Sequence, residues 1–318
     1  MKTGKILATL GIVMLLGGIA GALLWPSPGG SVGGDKQADV PPPSLPALPS
    51  PNGYDMLLQA GDNTRSPNSP VAEMSRGALE TYLLSHDDAF EIATAAFETE
   101  CRVVLDGEVE FSPARQEGLE ALQRLAELFT ARALLAEGKV QMQVALDAHL
   151  ERLRLGSMVA QGGITEDLLV GVLIEEGARS GIEAMIRKLT KLSLENALER
   201  LTALEDSREM PDAHREWGEL IDKTIHPSFL NSMTVEQRAE RREGFRLALQ
   251  KNTEQLRKLR ALILQVAGRL YEFQTGKTPD TLSALVPSLI SEIPIDPTTG
   301  NPFEDTVMSR GKGDIGAE

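Results

Sequence analysis

A chain of 318 residues, 42% hydrophobic and 25% charged, has the make-up of a folded protein and not of a disordered or collagen-like one. Its net charge is −14, and the charges of residues 1–70 cancel, so the whole acidic excess lies in residues 71–318. Such a body repels phosphate backbones, which excludes nucleic acid as a partner, and the single cysteine, Cys101, excludes an intrachain disulfide.

The chain opens with Lys2 and Lys5, followed by an uncharged apolar run from Ile6 through Leu16 to Trp25. About 20 helical residues rise about 30 Å, the thickness of a bilayer's hydrocarbon. The lysines hold residues 1–5 in the cytoplasm and Trp25 suits the far interface. This predicts a single-pass inner-membrane protein whose body stands on the periplasmic side. The small-x-small sequence Ala20–Ala22 supports the alternative of a cleaved signal peptide and a soluble secreted protein. Both readings export the body, and no lipobox cysteine marks a lipoprotein. Gly17 and Gly21 have the spacing that lets membrane helices approach closely.

From 26 to 70 the composition turns to Pro and Gly, which predicts a disordered linker that stands the body off the membrane. As a flexible coil of this length it would reach about 35–40 Å.

From 71 to 275 the apolar periodicity is helical, with segments at about 71–85, 87–105, 113–137, 139–160, 165–190, 193–205, 211–224 and 234–275. Aromatics are only 4%, so the core must rest on Leu, Ala, Val and Ile. Ser112, Thr165, Ser193 and Thr234 stand where N-caps are expected, and Gly162–Gly163 marks a break. No repeat period emerges. The fold class is mainly all-α, an irregular multi-helix bundle or stacked helical hairpins. In the last long helix Leu256, Leu259, Ile263, Val266, Leu270 and Phe273 form a heptad seam that runs back to Asn252, Leu249 and Phe245. The seam serves either bundle packing or a coiled coil between copies. Arg238, Arg241, Arg242, Arg246, Lys251, Arg257, Lys258 and Arg260 crowd the same helix, interleaved with glutamates, and read as a solvated, salt-bridged face.

Chemistry is thin. His86, His149, His214 and His226 are dispersed, and no metal, phosphate-loop or nucleophile-elbow motif is present, so no catalytic, cofactor-binding or metal residue is assigned and no cofactor is expected. The run His86–Asp88 reads as a helix cap. Glu98, Glu100, Glu175 and Glu176 have no evident partner, and Cys101 reads as a buried core thiol.

The close of the chain, 276–318, is different. Gly276 ends the long helix, Thr278 and Pro279 open a short helix with Leu282, Leu285 and Leu289 on its apolar side, and Pro294, Pro297 and Pro302 bar regular helix while Gly300 permits a turn. The order Tyr271, Gly276, Pro279, Pro294, Asp296, Pro297, Gly300, Pro302 resembles the middle of bacterial type II secretion pseudopilins, over roughly 50 residues. The whole chain is also similar to membrane-anchored bacterial envelope proteins with helical bodies and such a tail. The resemblance implies a small pseudopilin-like cap on the last helix. The N-terminus lacks that family's processing motif, so no filament is implied. The family's calcium loop survives only as Asp305 and Asp314.

These readings converge on a non-enzymatic, membrane-tethered interaction or scaffold protein of the bacterial cell envelope, associated with secretion, its protein partners unidentified and a homo-oligomer among them. The alternative is an exported enzyme whose site is assembled from dispersed residues.

Overall fold

The computed structural model describes residues 47–105, 113–224 and 233–305. The anchor residues Ile6, Leu16 and Trp25 lie outside them. No helix among the described residues is long and apolar enough to cross a membrane.

The fold is mainly helical. In chain order the α-helices are α1 Gly53–Asp62, α2 Arg76–Leu84, α3 Asp87–Phe97, α4 Pro113–Gly138, α5 Met142–Ala160, α6 Thr165–Met185, α7 Lys191–Ser207, α8 Pro211–Thr224 and α9 Val235–Thr275, with 3-10 turns at Val71–Glu73, Ile186–Lys188 and Leu282–Leu285. There is no strand among the described residues, only an isolated bridge between Ile295 and Pro302.

Two expectations on the N-terminal side are corrected. The linker does not run to 70. Asn52 caps α1 by accepting the Tyr54 N–H, and Tyr54, Leu57 and Ala60 bury the helix in the core. The helix expected over 87–105 stops at Phe97, because the next residues are captured by tertiary hydrogen bonds. The Asn52 amide donates to Arg102 O (2.9 Å) while its oxygen accepts Arg102 N–H (3.0 Å), and Gly53 N–H donates to Glu100 O (2.8 Å). Cys101 sits in this extended piece, buried, and not on a helix.

Caps also differ in detail. Thr234 holds its place, exchanging hydrogen bonds with Gln237. Thr165 is the first residue of α6, not its cap. Ile164 N–H donates to Asp167 Oδ2 (2.9 Å), which closes that end. Thr190, not Ser193, caps α7, its Oγ1 accepting the Ser193 N–H (3.2 Å). Ser112 lies outside the described residues.

α5 and α6 form the most intimate pair and carry both main cores. Their backbones meet at Gly156 and Gly171: a Cβ on Gly171 would stand 2.6 Å from Gly156 O, so only glycine allows this approach. One core gathers α1, α2, α3, α4 and the joined ends of the α5–α6 hairpin, with Leu57, Leu122, Leu125, Phe129, Leu155 and Ile174 at its centre. The other gathers the opposite ends of α5 and α6 with α7, the second half of α9 and the C-terminal segment.

The seam of α9 is enclosed by its own chain. Leu256, Leu259, Ile263, Val266 and Leu270 are buried, and so are Leu262, Leu264 and Ala267 on the neighbouring faces, whereas Phe273 is 45% exposed. The coiled-coil use of this seam therefore gives way to bundle packing. A helix of 41 residues spans about 60 Å. Its second half is buried, but none of the residues 235–247 is.

Candidate functional site

Most groups singled out in the sequence are absorbed by packing. The Cys101 Sγ donates to Met158 O (3.6 Å), and burial pushes the thiol up to about 12, which makes it inert. His86 starts α3 and is tied on both ring nitrogens: Nδ1–H donates to Tyr82 O (2.7 Å) and Nε2 accepts the Arg65 N–H (3.0 Å). Asp87 and Asp88 follow in the first turn, where the helix dipole favours them. His149 lies 3.3 Å from Glu137, and burial lowers its pKa. Glu98 pairs on the surface with Arg154 (3.1 Å), Glu176 with Lys258 (3.4 Å), and Glu100 is exposed. His226 lies outside the described residues. No group of three His, Cys, Asp or Glu side chains among the described residues is placed to hold a metal.

Two buried ion pairs were hidden from sequence reading because their partners are far apart in the chain. Arg115 of α4 contacts Asp167 of α6 and donates to Val104 O (3.2 Å), with Tyr54 beside the pair. In the second, Glu175 accepts from Arg208 Nη1 (2.6 Å), and Arg208 Nη2 donates to Asn252 Oδ1 (2.6 Å). Asn252 is therefore the polar seam residue of α9, and its role is to receive an arginine from the α7–α8 connection. His214 is buried next to this cluster. Burial, and then the Arg208 charge, depress it to about 4, so it is neutral at physiological pH. Glu209 Oε2 stands 3.3 Å from its Nδ1 but accepts the Gly162 N–H (2.6 Å) instead. These clusters tie α4 to α6, and α6 through the α7–α8 connection to α9.

Among the described residues, a concave feature with convergent charge lies where α8 and the unburied half of α9 cross the start of α6. It is a cavity of about 330 Å³. Its floor is Ile164, Phe245 and Leu249, and its rim carries Arg215 from α8 and Arg241, Arg242 and Arg246 from α9, against a single carboxylate, Glu219, among the described lining residues. Local rules build it. On α9, positions 242, 245, 246 and 249 are three or four apart and share one side. On α8, Gly218 lets Phe245 lie against the helix, because a Cβ there would come within 2.4 Å of the ring. Trp217 fixes α8 to the Gly162 turn by donating to Gly162 O, under the Arg102 guanidinium 5.2 Å from its ring centroid.

The reading of this helix face as salt-bridged holds for two pairs: Glu243 receives Arg246 at 2.8 and 2.6 Å, and Glu254 receives Arg257 at 2.7 Å. Arg242 is exposed, as a solvated face requires, but the reading misses that it pairs with none of the described carboxylates and that Arg215 arrives from another helix to the same rim. The contact between Gly218 and Phe245, residues with no legible relation in sequence, helps bring the two helices' arginines together.

The C-terminal residues named in the sequence form a docked segment. Tyr271 packs against the core, Gly276 closes α9 at φ 73°, and Pro279 is buried. Thr278 does not cap a helix. It donates to Glu272 Oε1 (3.0 Å), and the short helix is a 3-10 turn that begins at Leu282, whose N–H is received by Asp305 Oδ1 (2.7 Å). Asp305 is thus a capping group. Asp314 lies outside the described residues. Leu282, Leu285, Ile290 and Phe303 enter the core. Asp296 organises the Pro297–Gly300 turn, accepting Thr298 N–H (2.8 Å) and, through its carbonyl, Gly300 N–H (2.8 Å), with Gly300 at φ 73°. Phe303 N–H donates to Pro294 O (3.1 Å) and Pro302 bridges Ile295, so this hairpin-like closure uses the residues of the motif. Arg260 of α9 donates to Ile295 O (2.6 Å) and holds it down.

No protein-family model, curated protein or solved structure matches the chain.

Proposed function

We propose that this chain is a non-enzymatic interaction module of the bacterial cell envelope, held at the inner membrane by Ile6–Trp25 with its body on the periplasmic side, and working beside a secretion or envelope-assembly machine. The observation that carries the reading is the first half of α9. A helix of 41 residues keeps residues 235–247 unburied, and it bears guanidinium groups around a groove. A helix half that serves only internal packing would have its apolar stripe covered, as the second half has. Between 235 and 260 eight Lys and Arg stand against four Glu, in a chain whose net charge is −14. A basic arm on an acidic body is a surface arranged for a partner.

The apolar run and the Pro-rich stretch that precedes α1 support the tethered layout, and the tail's resemblance to pseudopilins supports the setting. The buried ionisable pairs support a structural use of the charged interior, since each is engaged across helices and none lines the groove.

Fractionation of cells, followed by N-terminal sequencing of the mature protein, tests the layout. The expected result is a membrane-bound protein with residues 1–25 intact. A soluble protein beginning near Leu23 would overturn the tether.

A further inference from the structure

We infer that the groove between α8 and α9 receives an acidic peptide segment in which carboxylate side chains alternate with apolar ones. This rests on the interaction reading and names the chemistry of its partner. The charge balance of the lining sets the sign. Among the described residues that line the groove, four guanidinium groups face one carboxylate, Glu219, and Arg242 pairs with none of the described carboxylates. Arg241 is itself engaged, and of the other neighbours Glu243 pairs with Arg246 and Asp212 with Arg215 at 2.8 Å. Both are exposed pairs within one helix, of the kind that a better-placed carboxylate displaces readily. Even with Glu243 bound, Arg246 keeps Nη1 for a further acceptor, since Glu243 takes Nε and Nη2. Planar guanidinium forks favour carboxylates approached side-on.

The floor sets the rest. Phe245, Leu249 and Ile164 present apolar surface below the charged rim. A volume near 330 Å³ is at the lower end of ligand-sized cavities, room for about two or three side chains. A compact, multiply charged anion such as phosphate fits less well. A bare anion leaves the apolar floor of Ile164, Phe245 and Leu249 wet. Spaced single charges with apolar side chains between them match both features. A bilayer surface cannot enter a groove of this size.

The test uses the full-length chain in nanodiscs of zwitterionic lipid and a short fluorescein-labelled peptide of alternating Glu-Glu and Leu-Phe pairs, read by fluorescence anisotropy at low and moderate salt. Saturable binding that weakens with salt is expected, with affinity at least about tenfold lower for the peptide carrying Gln in place of Glu. Arg242→Glu combined with Arg246→Glu is expected to weaken binding by at least about tenfold. Both residues are exposed, and the Glu243 pair that is lost is a surface one, so the thermal midpoint should fall by no more than about 4 °C. Lys251→Glu, on the same helix outside the groove lining, should change affinity by no more than about twofold. Equal binding of the Gln peptide, an equal loss in Lys251→Glu, or displacement of the peptide by inorganic phosphate at matched ionic strength would overturn the inference. A cellular partner captured equally well by the Arg242→Glu, Arg246→Glu variant would refute this groove chemistry and leave the interaction reading standing.

Discussion

At Val140, between α4 and α5, the backbone takes φ 59°, and the residue is 79% exposed. A β-branched side chain in the left-handed region crowds its own backbone, and here no burial offsets the crowding. Val140→Gly is expected to stabilise the chain by about 1 kcal/mol, read as a rise in the urea midpoint. A lower midpoint would show that the valine side chain has a contact worth more than the strain. His214 makes a pH prediction. Its pKa is depressed to about 4 in the fold against an ordinary value near 6.5. Below pH 6.5 the unfolded chain therefore binds a proton that the folded chain refuses, so this residue lowers stability progressively as pH falls from about 6.5 to about 4. The full gap is worth about 3 kcal/mol. In His214→Gln the slope of stability against pH over that window should be shallower than in the parent; identical slopes would mean that His214 takes up its proton without cost to the fold.

The long helices were the legible elements. The spans expected at 113–137, 211–224 and 234–275 match α4, α8 and α9 within a residue, because an apolar stripe of helical period on such lengths admits few other solutions. What escaped was set by partners distant in sequence. The helix at Gly53–Asp62 hid in Pro- and Gly-rich surroundings, although Asn52 is a strong N-cap, since only the core formed by α3 and α4 makes burying Leu57 worthwhile. The early end of α3 depends on the Asn52 side chain, which takes both backbone groups of a residue 50 positions away. The Glu175–Arg208–Asn252 cluster was visible only as an odd polar residue on a seam. It now yields a test at this scale. Removing one member leaves a charge buried without its partner, so Arg208→Ala should cost about 3–5 kcal/mol in urea unfolding. Replacing both charges together, Glu175→Leu with Arg208→Met, should recover most of that loss. If the double variant is as unstable as the single one, the pair contributes more than charge balance.

On the scale of the whole molecule, two cores strung along the α5–α6 hairpin make a scaffold, and the first half of α9 packs on α8 with no residue of 235–247 fully buried. The C-terminal segment belongs to the scaffold. Leu282 and Leu285 are fully buried against α9, so the motif that reads like a module in the sequence is part of one core. The groove was not legible, because its arginines come from two helices whose crossing depends on Gly218 and Phe245 meeting. Its use as a docking face is most directly tested in living cells. A photo-crosslinking amino acid is placed in the full-length protein at position 242, on the groove rim, or at position 91, on the exposed face of α3, each with and without Arg246→Glu. The expected result is a discrete adduct with another protein from position 242, absent from position 91 and reduced by Arg246→Glu. Adducts that are the same from both positions, or that ignore Arg246→Glu, would contradict a docking role for this face.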